Sequence, residues 1–213
     1  MEKTVAVIIP AFNEANSIGL VIQAIPCATV HHIVVCNNGS TDSTSKVARE
    51  NGAIVVDEPQ RGYGNACLAG IAYLKSLKNP PEIIVFLDGD FSDYPEELPR
   101  LTRPIIAGET DLVIGSRVKG KKEKGALLPH QAFGNWLAVN LIKIMFGYTY
   151  SDLGPFRAIR SQSLDLLDMR DTTYGWTVEM QVKAAKYGLS VLEIPVKYRK
   201  RIGKSKVSGT IKG

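Results

Sequence analysis

Residues 83–87 (Ile-Ile-Val-Phe-Leu) form an unbroken apolar run that halts at Asp88-Gly89-Asp90. A short run without alternation suits a strand buried on both faces. Such a strand needs packed layers above and below it. A chain of 213 residues, 45% hydrophobic and 22% charged, is able to supply them. The carboxyl end of a buried central strand is where open α/β sheets place their ligand crevice. Two carboxylates one residue apart repel there and call for a cation or a proton, and Gly89 lets the backbone turn between them. Mg²⁺ is typically held by one or two carboxylates plus substrate phosphates. Asp88 and Asp90 therefore read as a metal site for a diphosphate-bearing substrate. A plain turn would use the same residue types.

The rest of the chain repeats the pattern of an apolar strand, a polar tip and a helical stripe. Residues 4–9 end at Pro10, before Ala11-Phe12-Asn13-Glu14, and Ile18, Val21, Ile22 and Ile25 follow at helical spacing. Glu14 reads as either a ligand-facing acid or a helix-start residue. Residues 32–36 lead into Asn37-Asn38-Gly39-Ser40-Thr41-Asp42, where the two amides suit a base edge or ribose and Asp42 suits a helix cap. Residues 53–56 precede Arg61-Gly62-Tyr63-Gly64, whose arginine and glycines suit close approach to a phosphate. A helix with Ala66, Ala69, Gly70, Tyr73, Leu74 and Leu77 on one stripe comes next. Residues 111–114 make a fifth strand, closed by Gly115-Ser116-Arg117. This β-α-β-α-β-α-β-α-β order specifies a doubly wound, mostly parallel Rossmann-like sheet with helices on both faces. No Gly-x-Gly-x-x-Gly follows the first strand, which argues against a dinucleotide dehydrogenase.

Beyond Arg117 the pattern changes. Residues 119–124 read as a polar loop, and residues 136–146 as a buried helix, with an interfacial one as the alternative. Asp152 through Arg160 reads as a Gly-Pro turn into a short strand. Residues 176–187 read as a helix with Val178, Val182 and Ala185 inward and Glu179 toward a cleft or a Lys183 pair. Residues 190–196 make a last strand before a basic tail.

The net charge of +5 is concentrated in residues 117–124 and 197–206; elsewhere acids outnumber bases. Such clusters seek phosphate on a nucleotide, a lipid or a membrane, or else form a solvated face. They lack the interleaved aromatics of a nucleic-acid platform, apart from Tyr198. Three cysteines without metal-type spacing read as reduced core thiols in a cytosolic protein. No secretory signal is legible at the N-terminus, and no stretch reaches the roughly 18 unbroken apolar residues of a membrane span.

Taken in order, Ile-Pro-Ala-Phe-Asn-Glu (9–14), Asn-Asn-Gly-Ser-Thr-Asp (37–42), Arg-Gly-Tyr-Gly-Asn-Ala (61–66), Asp-Gly-Asp (88–90), Gly-Ser-Arg (115–117), Gly-Pro-Phe-Arg-Ala (154–158) and Lys-Arg-x-Gly-x-Ser-Lys (200–206) span essentially the whole chain. This series resembles the family 2 glycosyltransferases of GT-A fold, in particular the branch around dolichyl-phosphate mannose synthase. The resemblance implies one domain, with 1–117 as the nucleotide-sugar-binding half and 118–213 as the acceptor-side half. It implies a nucleotide-diphosphate sugar, UDP- or GDP-linked, with Mg²⁺ or Mn²⁺ and inversion at the anomeric carbon. Pro10, Ala11, Phe12, Glu14, Asn38, Gly39, Arg61 and Asp88 would bind the nucleotide, and Asp88 and Asp90 the metal. Arg117, Arg157, Arg201 and Lys206 would meet phosphates of donor or acceptor. Three departures stand out: Asn37-Asn38 replaces the usual Asp-Asp, Ser92 replaces a frequent Gln, and the chain stops soon after Lys206 with no membrane domain.

The expected chemistry is stabilisation of the leaving diphosphate by the Asp88/Asp90 metal and nearby arginines, with Asp90 and Arg117 as catalytic groups. A polyprenyl or dolichyl phosphate acceptor is already anionic and needs positioning rather than a base. A sugar hydroxyl would need a general base, for which Glu179 stands first and Asp152 second. The lipid acceptor is the preferred expectation, with the chain cytoplasmic and working at the inner face of the membrane. The competing classes are a nucleotidyltransferase and a non-catalytic nucleotide-sugar-binding protein.

Overall fold

The computed structural model describes residues 3–203. Seven strands form one sheet: β1 Val5–Ala11, β2 His32–Asn37, β3 Ile54–Asp57, β4 Ile83–Phe86, β5 Leu112–Ser116, β6 Arg157–Arg160 and β7 Val191–Pro195. Their order is β3-β2-β1-β4-β6-β5-β7. All neighbours are parallel except β6, which runs antiparallel to both β4 and β5. The sheet is thus Rossmann-like and mostly parallel. The fifth strand does not pair with the fourth, because β6 lies between them.

Side-chain alternation divides the core between the two faces. Val5, Val7 and Ile9 of β1 face α1 (Ile18–Ala24), α2 (Thr44–Glu50) and α4 (Leu98–Ile106), which bury Ile18, Val21, Ala48, Leu98, Leu101 and Ile105 there. Ala6 and Ile8 face α3 (Tyr63–Ser76), α5 (Pro129–Phe146), α6 (Ser161–Leu167) and α7 (Trp176–Lys186). The first strand continues through Pro10 to Ala11. Ile8 accepts from Leu87 on the β4 side, so Pro10, two residues on, turns its donorless nitrogen to the side where β4 has already ended.

Three expectations fail on burial. Helix α5 is longer than expected and buries only Asn135, Val139 and Ile142, while Ile144 is 80% exposed and Met145 70%. In α7 the inward face is Trp176, Met180 and Ala184, with Trp176 edge-on to Phe86 at 5.7 Å; Val178 and Val182 are half-buried beside them. Cys36 and Cys67 are core thiols, but Cys27 is exposed after the end of α1.

Candidate active site

The carboxyl ends of β1, β2 and β4 open into a cavity of about 340 Å³. Pro10, Ala11, Phe12, Glu14, Asn38, Arg61, Asp88 and Asp90 line it, joined by Tyr63, Tyr174 and Arg201. Most of the residues expected at a nucleotide pocket therefore surround one space. Gly39 does not line it; at φ 66° it lies against the Arg61 side chain.

Each wall has a local cause. Left-handed Asn13 (φ 54°) turns the chain after β1. Its amide donates to Ser40 Oγ at 3.0 Å, and its Oδ1 accepts from the Thr41 amide at 2.8 Å. Glu14 precedes α1 rather than opening it: its carboxylate accepts from Ser17 Oγ at 2.9 Å and it faces the cavity. Asn38 lines the cavity, but its side chain is largely committed to the loop that follows β3. It donates to the Glu58 and Gln60 carbonyls and accepts from the Gly62 amide. Asn37 likewise donates to Asp57 and accepts from the Ser40 amide. The two amides hold the wall in place, which corrects the expectation of a free base- or ribose-reading edge. Arg61 lies over the Phe12 ring at 3.7 Å, a flat cationic stack at the rim.

The glycines at the start of α3 serve a different purpose from the one expected. A Cβ on Gly62 would overlap the Thr172 carbonyl, and one on Gly64 the Asp171 carbonyl. The Gly64 and Asn65 amides donate to Thr173 and Thr172. The first turn of α3 is thus capped by the loop before α7, not left open for a phosphate. That loop carries Tyr174 into the cavity from a distant part of the chain.

The acids lie where the sheet opens. Tyr63 Oη donates to Asp88 Oδ1 at 3.0 Å. Burial and the neighbouring Asp90 charge push the Asp88 carboxyl up to about 6, against the Tyr63 hydrogen bond and the Arg201 and Arg117 charges. Asp90 accepts from the Ser92 amide and pairs with Arg201 at 3.0 Å. The segment bearing Arg201 is strapped over these residues. Ile202 donates to the Asp90 carbonyl, Arg199 Nε donates to the Phe91 carbonyl, and the Arg199 guanidinium stacks 3.4 Å from the Phe91 ring. Beneath the strap, Asp93 is fully buried, and neither of its carboxylate oxygens accepts a hydrogen bond among the described residues. Burial and the Asp88 and Asp90 charges raise it well above the usual carboxylate range. Nothing in local spacing distinguished Asp93 or Tyr174.

Three expected site residues lie elsewhere. Arg117 forms a two-pronged pair with Asp152 (2.9 and 2.7 Å) and also donates its amide to it at 2.7 Å, away from the cavity lining. Burial works against the Arg117 charge, but Asp152 more than restores it. Neither partner is a free phosphate ligand or base. Arg157 is buried under the sheet end, donating to the Gly154 and Thr177 carbonyls and to Gln181; burial brings its pKa down to about 10. It is a structural cation rather than a surface phosphate contact. Glu179 accepts from the Arg170 and Asp171 amides and pairs with Lys183 at 2.7 Å. Burial raises it, and these partners lower it below its usual value overall. It fixes the loop that caps α3 and does not reach the cavity. Lys206 lies outside the described residues. Among the described residues, no three Asp, Glu, His or Cys side chains converge as a ready metal cage.

The fold matches that of glucosyl-3-phosphoglycerate synthase from Mycobacterium tuberculosis, solved with Mn²⁺, UDP and glucosyl-3-phosphoglycerate. The TM-score is 0.73 with 24% identity, covering 96% of this chain and 73% of that one. Sheet order and strand-tip cavity are thus those of the GT-A fold. The model of glycosyl transferase family 2 matches residues 6–167, and the chain belongs to that family. An uncharacterized glycosyltransferase of Mycobacterium tuberculosis is 35% identical over 211 residues, 98% of this chain and 92% of its own length. The undecaprenyl-phosphate mannosyltransferase of Micrococcus luteus is 30% identical over 222 residues, covering 98% of this chain and 89% of its own.

Proposed function

We propose that this glycosyltransferase binds a UDP- or GDP-linked hexose in the strand-tip cavity. It transfers the sugar, with inversion, to a polyprenyl or dolichyl phosphate presented at a membrane surface. The carrying observation is that one space of about 340 Å³ gathers the Phe12–Arg61 stack, the Asp88–Asp90 pair and Arg201. An aromatic platform, paired acids and fixed cations are what a base, a metal-bound diphosphate and its leaving charge require. The Mn²⁺ and UDP bound by the structural neighbour and the name of the Micrococcus relative support the same reading.

Asp88 and Asp90 fit a divalent cation: the Asp88 carboxyl is raised to about 6 by burial and by its neighbour, a strain that a cation removes. Bound there, Mg²⁺ or Mn²⁺ would supply charge neutralisation to the departing diphosphate. The chain's own groups act beside it. Tyr63 orients Asp88, Arg201 and Arg61 set fixed positive charge around the phosphates, and Phe12 offers a face to the base. The capping loop, held by Glu179, keeps Tyr174 in the wall.

One observation favours a phosphate over a hydroxyl acceptor. Both candidate general bases are occupied, Glu179 by Lys183 and two amides and Asp152 by Arg117. A phosphate monoester carries close to two negative charges at neutral pH, with a second pKa of about 6, and attacks without a base. The test is a matrix of UDP- and GDP-hexoses against a short polyprenyl phosphate, with Mn²⁺ or EDTA, read by mass spectrometry of the lipid. A metal-dependent glycosyl phospholipid supports the reading. Transfer only to a sugar hydroxyl refutes the acceptor, and release of pyrophosphate from a nucleoside triphosphate refutes the class.

A further inference from the structure

Helix α5 is at odds with the rest of the fold. Phe133 (62% exposed), Trp136 (58%), Leu137, Leu141, Ile144 and Met145 all stand in solvent, on a helix that contains no acid. A face of that size on a monomeric domain marks an interaction surface. No described helix is long and apolar enough to cross a membrane.

Its surroundings say what covers it. The loop just before α5 carries exposed Lys121, Lys122 and Lys124, and the described part of the second basic segment, residues 197–203, is strapped to that loop through Tyr198 and Lys200. Tyr198 donates to the Lys121 carbonyl, the Glu123 amide donates to Tyr198, and the Lys200 amide donates to Glu123 Oε2. Two clusters far apart in sequence thus form one cationic ledge leading into the apolar helix. On its inner side Asn135 donates to the Ser151 carbonyl and accepts from the Leu153 amide, which ties α5 to the loop holding the Arg117–Asp152 pair.

We propose that α5 and this ledge are a docking surface for an anionic lipid bilayer, with α5 lying in the plane of the headgroups. Aromatic and aliphatic side chains on one face beside a lysine-rich segment are the composition of an interfacial helix. A second copy of the chain fits less well: a two-fold contact through α5 would bring two cationic ledges together. The purpose of this surface rests on the lipid-phosphate reading above, but docking can be measured with neither donor nor acceptor present.

The test is co-sedimentation of the full chain with vesicles of phosphatidylcholine alone and of phosphatidylcholine with phosphatidylglycerol. It is paired with fluorescence, in which exposed Trp136 reports and buried Trp176 does not. The expected result is binding to anionic vesicles, with a blue shift that disappears in Trp136→Phe. Ile144→Ser with Met145→Ser should weaken partition by about tenfold or more. Lys121→Ala with Lys122→Ala and Lys124→Ala should weaken it by a similar factor, an effect lost in about 1 M salt. Unchanged melting temperatures of the variants establish that they fold. A chain that stays in the supernatant with both vesicle types overturns the proposal. So does a concentration-dependent dimer that Ile144→Ser dissociates. Vesicle binding without transfer to polyprenyl phosphate instead removes the acceptor reading and leaves the docking surface standing.

Discussion

Helices α3 and α5 lie on the same face of the sheet and are both rich in apolar residues, yet one is sunk against the strands and the other stands largely in solvent. The contact face of α3 is built from small residues. Gly64 and Ala66 let its first turn meet the capping loop and the cavity, and Gly70 sits against Cys36 and Ile8. Bulky residues occupy most of α5, and only Val139 and Ile142 reach the core with Asn135. Side-chain size at the contact, more than hydrophobicity, decides how closely a helix approaches a sheet. Apolar composition says only that a surface avoids water, not which partner covers it.

The largest test of this contrast is chemical. If the α3 side holds the chemistry, Asp90→Asn should lower sugar transfer by about two orders of magnitude or more in a single-turnover assay. Ile144→Ser should leave turnover on a detergent-dispersed short acceptor unchanged. A smaller effect, in stability, comes from one substitution made in both helices. At Gly70 a Cβ would lie 2.7 Å from Cys36 Sγ and 2.8 Å from Ile8 Cγ2. Gly70→Ala should therefore cost about 1–3 kcal/mol in urea denaturation, despite its better helix propensity. Cation binding should also depend on pH at the α3 side. Asp88 keeps its proton up to about 6, where an ordinary Asp loses it near 3.8, so Mn²⁺ affinity should fall as pH drops below about 6. By calorimetry the fall should approach about tenfold per pH unit. The sign for the metal-free fold is the reverse: the Asp88 contribution is full below 3.8 and is lost as pH rises through about 6. The smallest effect is at Gly134 of α5, where a Cβ meets nothing within 4 Å. Gly134→Ala should stabilise by about 0.5–1 kcal/mol, opposite in sign to Gly70→Ala. Equal effects at the two glycines would erase the contrast.

The sheet and the floor of the cavity were legible in the sequence because both are written locally. An apolar run ended by Asp88-Gly89-Asp90 needs only neighbouring residues to be read as a strand and its tip. Glu14 and Arg61 were singled out in the same way, each a few residues beyond a strand, whereas Phe12 came only with the motif series that resembles family 2 glycosyltransferases. What escaped depends on distant partners. The insertion of β6 between β4 and β5 follows from pairing, which spacing within β6 does not record. Arg117, Arg157 and Glu179 carry the charges suited to substrate, but Asp152, Gly154 and Lys183 reach them first. In α7 the apolar residues supply two possible faces, and packing of Trp176 on Phe86 selects the one that periodicity did not.

The reversed direction of β6 has one more effect. The chain leaves the sheet at Ser116 and re-enters at Arg157, and these points are neighbours: Ile114 pairs with Arg157, and the Gly115 amide donates to Phe156. Everything between them, the lysine loop of the cationic ledge and α5 included, is a detour whose entrance and exit share one doorway. Such a detour can be lengthened, trimmed or exchanged between relatives without moving the strands that hold Asp88 and Asp90, so what is recognised can change while the chemistry stays in place.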